Sequence, residues 1–148
     1  RPARARLGRD STCFVRGKFD TVVKFDDGTY GVIDFKTSKT KSEHVSLYGR
    51  QLHAYAYSLE NAAPGNFALR PISRLGLLVF DPNSFRNHPQ SEVSLDGGLH
   101  WLEIPLDERS FIRFLAGVLE VLDQPSPPPP SRSCECCKYR EASRKTGY

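Results

Sequence analysis

The sequence predicts an α/β domain, and three observations carry that expectation. Thr12 to Phe25, broken by Gly17, and Thr29 to Thr37 are β-rich runs joined at an Asp27-Gly28 turn, the pattern of paired strands. Val45, Tyr48, Leu52, Tyr55, Ala56 and Leu59 recur at spacings of three and four, the stripe of an amphipathic helix. Arg74 to Phe80 is a nearly continuous apolar run, as expected of a strand buried on both faces.

The elements follow in order. Ala3, Ala5 and Leu7 alternate with Arg4 and Arg6 and read as a short amphipathic strand before a Gly8–Ser11 turn. With the next two runs it suggests a three-stranded antiparallel meander. Ser42 is the expected cap of the first helix, which should end near Asn61, ahead of Pro64-Gly65. Asp81-Pro82 is expected to stop the apolar strand. A polar loop then runs from Asn83 to about Gly98, followed by a strand from Leu99 to Leu106. Phe111, Phe114, Leu115, Val118, Leu119 and Leu122 mark a second helix. Pro125 to Pro130 stiffens an extended linker, so residues 1–123 form the domain and 124–148 a Pro-rich linker with a cysteine-bearing tail.

At 148 residues the chain has room for one core, and 39% hydrophobic with 26% charged residues is the balance of a globular protein. The net charge of +4 suits a polyanionic partner. No apolar run approaches the ~20 residues of a membrane span, so no membrane association is expected. Cys134, Cys136 and Cys137 are too crowded for a spaced disulfide framework, and a reducing, cytoplasmic setting is expected.

Chemistry concentrates between Gly17 and Lys36. Strand side chains alternate faces, so Asp34 and Lys36 must point the same way. A hairpin through Asp26-Asp27-Gly28 brings Asp20 near them. Two carboxylates beside an ammonium on one sheet face suit a divalent metal and phosphodiester hydrolysis. An isolated Asp-x-Lys also fits a solvated hairpin edge with a salt bridge.

The ordered set Gly17-x-x-Asp20, Asp34-x-Lys36-Thr37 and, on the helix, Gln51-x-x-x-Tyr55 resembles the PD-(D/E)XK nuclease superfamily, in particular its RecB-like branch. The resemblance extends through the buried strand ending Val79-Phe80 and the second helix to Cys134, Cys137, Tyr139 and Arg140. It implies a restriction-endonuclease-like core, a central mixed β-sheet flanked by helices, and a metal-dependent deoxyribonuclease with DNA as partner, of the kind used in repair or recombination. By the same resemblance Asp20, Asp34 and the backbone carbonyl of Phe35 are the metal ligands, and Lys36 is the catalytic lysine. Gln51 and Tyr55 organise the site and touch the nucleic acid. Hard oxygen ligands suit Mg²⁺ or Mn²⁺. Gln51 and Tyr55, four apart, share one helix face about 6 Å apart along the axis.

Bland roles stand beside these. Tyr55 also lies in the apolar stripe, and Gln51 also reads as a solvated residue at its edge. Lys39 and Lys41 are phosphate contacts or simply loop. Arg4, Arg6, Arg9, Arg16 and Arg50 bracket a phosphate track or a solvated basic surface. His44 and His53 lack metal-ligand spacing and read as surface or groove residues, His44 the nearer to the site. Cys13 reads as a small buried hydrophobe. Some RecB-like nucleases hold a 4Fe–4S cluster through an upstream cysteine and a C-terminal C-x-x-C-x5-C. Cys134 and Cys137 match the first two tail positions as candidates for an iron–sulfur or zinc site, but Ser143 stands at the third, so a cluster is not expected. The family core opens with a helix ahead of the meander, and a larger chain or complex is expected to supply it. The alternative function is a catalytically impaired, nuclease-derived nucleic-acid-binding module.

Overall fold

A computed structural model describes residues 3–6, 12–39, 43–89 and 92–146. The expectations for Arg9, Lys41 and the Ser42 cap, and those for the side chains of Arg4, Arg6 and Cys13, lie outside the described residues and side chains. The chain order is β1 (Ala3–Arg6), β2 (Thr12–Val15), β3 (Thr21–Lys24), β4 (Tyr30–Thr37), α1 (Glu43–Glu60), β5 (Ile72–Asn87), β6 (Val93–Ile104), α2 (Glu108–Leu122) and α3 (Glu135–Lys145). The central sheet has the order β3-β4-β5-β6, and β1 pairs with β2 in a separate two-stranded sheet. β3 and β4 are antiparallel, β4 and β5 parallel, and β5 and β6 antiparallel. The sheet is therefore mixed, with α1 as the crossover a parallel pair requires. This is the α/β, restriction-endonuclease-like arrangement.

The expected three-stranded meander is thus divided. The chain leaves one sheet after Val15 and joins the other at Thr21, so the break at Gly17 separates two sheets. The β3–β4 turn is as expected. The Phe25 amide donates to the Thr29 carbonyl at 2.9 Å, and Asp27 Oδ1 accepts from the Thr29 amide at 2.8 Å. Gly28 takes φ +84°, where a side chain would be strained.

α1 covers one face of the sheet. Val32, Leu52, Leu75, Leu77 and Val79 are wholly buried between them, and each contributes about 1.5–3 kcal/mol relative to exposure. Glu60, at the end of α1, accepts the Ile72 amide at 2.7 Å and fixes the start of β5 to the helix. α2 packs on the other side of α1. His53 stacks on Phe111 with ring centroids 6.1 Å apart, and its Nε2 accepts the Asp107 amide at 2.9 Å. Its Nδ1 then donates to the Gly49 carbonyl at 2.7 Å. His53 is therefore a half-buried link between helices, and it lines the groove between them beside Arg50 and Phe114. Asp107 caps α2, accepting from the Ser110 amide and hydroxyl at 2.9 and 2.6 Å, and these bonds hold its carboxyl below the usual carboxylate range.

Two strand expectations change. The second face of β5 is only partly covered. In the cross-strand row Phe35–Leu78–Trp101, Leu78 is half-buried and the two aromatics are exposed. Trp101 lies so close over Gly76 that a Cβ there would sit 2.1 Å from its ring. Nor does Asp81-Pro82 end the strand. β5 and β6 continue as a long ribbon through a register shift between Pro82 and Ser84, where a residue without an amide hydrogen is tolerated. Beyond it Arg86 ion-pairs with Asp96, Ser84 donates to the same carboxylate at 3.1 Å, and His88 bonds Ser94 at 2.7 Å.

Candidate active site

β4 carries the central residues because its alternation is strict. Val32, Asp34 and Lys36 face α1, while Phe35 and Thr37 face away. Asp34 stands beside Leu77 and Lys36 beside Val79 in the parallel register, both deep in the core. Asp34 is accordingly 2% exposed. A buried carboxylate must be paired or it destabilises the fold. Its Oδ2 forms an ion pair with Lys36 Nζ, yet accepts no hydrogen bond of good geometry. That oxygen therefore keeps acceptor capacity aimed into the site.

Asp20 arrives from the other side. β3 pairs Thr21 with Ile33, and continuing that register by one residue sets Asp20 opposite Asp34. Its Oδ2 accepts the Phe35 amide at 3.0 Å, which fixes the carboxylate at the end of the ladder and leaves its other oxygen for a ligand. Phe35 also carries the expected carbonyl ligand. Among the described residues no three His, Cys, Asp or Glu side chains cluster as metal donors. With that carbonyl, the expected donors would be two carboxylates and one backbone oxygen. A buried carboxylate oxygen whose partner is the Lys36 ammonium, opposite an exposed second carboxylate, fits a hard divalent cation that retains waters.

α1 supplies the rest. Lys36 Nζ lies 4.7 Å from the centre of the Tyr48 ring, and His44 meets the same ring edge-on at 5.7 Å. His44 is 8% exposed and its Nδ1 has no hydrogen-bond partner, so it is a buried neighbour of the site instead of a surface residue. One and two turns on, Gln51 Nε2 donates to the Tyr55 hydroxyl at 2.7 Å. Both are half-buried, and the Tyr55 ring packs against Gly17, where a Cβ would lie 2.7 Å from Cε1. The glycine three residues before Asp20 thus makes room for the tyrosine of the helix. Tyr48 was legible only as part of the apolar stripe. What distinguishes it is the ring face it offers to a strand lysine, a contact with no local sequence signal.

An open cavity of about 660 Å³ adjoins these residues, lined in part by Phe14, Arg16, Gly17, Phe19, Tyr55 and Phe67. Phe19 and Phe67 stack at 6.5 Å, and both remain exposed. Lys39 is exposed just beyond the end of β4. Arg50 lies 4.5 Å from the Phe114 ring, which ties it to α2 and not to the carboxylates.

The cysteines stand apart. Cys134 caps α3 and Cys137 lies one turn on, with Ser143 further along the same helix. Cys136 lies beside them, exposed, and among the described residues no three His, Cys, Asp or Glu side chains come together here as metal donors.

The model of the PD-(D/E)XK nuclease superfamily matches residues 3–142. The solved crystal structure of SSO0001 aligns at 19% identity with a TM-score of 0.48, over 85% of this chain and 49% of that one. The chain thus spans about half of that protein's length. No curated protein matches the chain.

Proposed function

Because the chain belongs to the PD-(D/E)XK nuclease superfamily, we propose that it is a metal-dependent DNA nuclease of the RecB-like branch, with Asp20, Asp34 and Lys36 at its centre. The single observation that carries the reading is the buried Asp34, paired to Lys36 and faced by an Asp20 fixed on the next peptide. Asp20, Asp34 and the Phe35 carbonyl would hold Mg²⁺ or Mn²⁺. When bound, such an ion supplies positive charge against the phosphate and acidifies an attacking water.

The chain's own residues do the remaining work. Lys36, held between Asp34 and the Tyr48 ring, donates hydrogen bonds to oxygen atoms that gain charge in the pentacovalent transition state. Gln51 occupies the Tyr55 oxygen as a donor, so the Tyr55 hydroxyl proton is directed outward to a phosphate. Phe19 and Phe67 offer exposed ring faces on which bases stack, and Arg16 and Lys39 add cations for the backbone. No described helix is long and apolar enough to cross a membrane, and the reading suits a cytoplasmic role in repair or recombination.

The test is cleavage of end-labelled single- and double-stranded DNA in Mg²⁺, Mn²⁺ and Ca²⁺. Cutting in Mg²⁺ or Mn²⁺ that disappears in Asp34→Ala supports the nuclease. Binding without cutting in any metal would make the chain a nuclease-derived binding module.

A further inference from the structure

The C-x-x-C at the start of α3 is a second group of chemistry-bearing side chains, which the nuclease reading leaves unused. Cys134 is the N-cap, with extended backbone at φ −77° and ψ 99°. Its Sγ accepts the Cys137 amide at 3.3 Å, and its carbonyl closes the first helical turn with the Lys138 amide at 3.1 Å. Residues one turn apart fall inside the Cα separation of about 4.4–6.8 Å that a disulfide spans. The Cys134 sulfur is thus held against the first turn of the helix, at the peptide that carries Cys137.

We infer that Cys134 and Cys137 form a redox-active dithiol, with Cys134 as attacking and Cys137 as resolving cysteine, oxidised by a small anionic disulfide of the glutathione class. Their acidities are split in the direction this needs. Hydrogen bonds from the Cys137 thiol and amide, with a smaller push from the Arg140 guanidinium, hold Cys134 below the ordinary thiol range. Cys137 is pushed up, first by the hydrogen bond it gives Cys134, then by burial and the neighbouring negative charge. Both the first and the last of these causes vanish once Cys134 is capped.

The chemistry balances without a further reactant. The Cys134 thiolate attacks one sulfur of the small disulfide; the S–S bond breaks and one small thiolate leaves. Cys137 loses its proton to solvent and attacks Cys134 Sγ, expelling the second small thiolate. Two electrons pass from the dithiol to the small disulfide, giving one protein disulfide and two small thiols.

Access and charge fit this substrate. α3 buries no residue, and a cavity of about 540 Å³ beside it is lined by Cys136, Cys137, Tyr139, Arg140, Ser143 and Arg144. The two guanidiniums match carboxylates on the incoming disulfide. Cys136 is exposed and takes no part in the pair.

The experiment mixes the reduced full chain with oxidised glutathione and maps the products by mass spectrometry after alkylation. The wild type should release two thiols per chain, link Cys134 to Cys137 and leave Cys136 alkylated. Cys137→Ser should accumulate a glutathione adduct on Cys134, and Cys134→Ser should leave Cys137 unmodified. In the reduced protein, alkylation of Cys134 should persist to lower pH than that of Cys137. Neither variant should change the far-UV spectrum or Tm, since no core contact is lost. Adducts chiefly on Cys136, no Cys134–Cys137 link, or stoichiometric iron or zinc that shields the thiols would each overturn the inference.

Discussion

Lys36 lies over the ring of Tyr48, its ammonium 4.7 Å from the ring centre, while its other contact is the ion pair with Asp34. The strand therefore sets which way the lysine points, and the helix sets where its charge stops. A partly desolvated cation over an aromatic ring gains about 1 kcal/mol. Tyr48→Leu keeps the apolar volume and loses that restraint, so kcat should fall about fivefold with DNA affinity in Ca²⁺ nearly unchanged. Tyr48→Phe keeps the ring and should retain activity. Equal losses in both variants would show that the hydroxyl, and not the ring face, is what matters.

The metal has a readout separate from catalysis. If Asp20 and Asp34 are its ligands, Mn²⁺ at a hundredfold excess over its Kd should add about 2.7 kcal/mol by mass action, several degrees in Tm. Asp34→Ala should not respond. A matching rise in the variant would place the ligands elsewhere.

Lys36→Ala separates chemistry from binding. A role realised in the transition state predicts cleavage lost by at least two orders of magnitude, with DNA affinity in Ca²⁺ largely intact. Affinity that falls in step with activity would recast Lys36 as a phosphate-positioning residue.

Gly17 and Tyr55 make a third, structural pair. An alanine at 17 would drive its Cβ to 2.7 Å from the tyrosine ring and disturb the Gln51–Tyr55 bond. Gly17→Ala should cost about 1–3 kcal/mol. In a Tyr55→Leu background most of that cost should vanish, because the two sites are coupled by contact. Additive costs in the double-mutant cycle would mean that the glycine serves the backbone alone.

These pairs show what was legible and what was not. The common face of Asp34 and Lys36 follows from a period of two. The approach of Asp20 follows from one turn at Asp27-Gly28, so both were readable. The burial of His44 was not, because nothing local says which turn of α1 meets the sheet. The β5–β6 ribbon read as loop because Pro82, Gly97 and Gly98 are strand breakers in isolation. It is held by Arg86 and Asp96, which are ten residues apart and invisible to any window. Gly17 marked a break correctly, but a break does not reveal that the chain changes sheets.

The nucleic-acid path remains to be tested by salt. Lys39 is exposed at the end of the strand that carries Asp34 and Lys36, and Arg16 lines the cavity beside Tyr55. If these cations neutralise phosphates, they read no bases, and binding in Ca²⁺ should be independent of sequence. Four to six neutralised phosphates give a log–log salt slope of roughly −3 to −5. Replacing Lys39 and Lys41 together with Ala should flatten that slope by about one to two units. The Mn²⁺ response in Tm should be unaffected, because neither lysine belongs to the oxygen set. A slope unchanged in the double variant would move the path away from the end of β4, to the cavity edge at Arg16. An affinity indifferent to salt in the wild type would remove phosphate contacts as the basis of binding altogether.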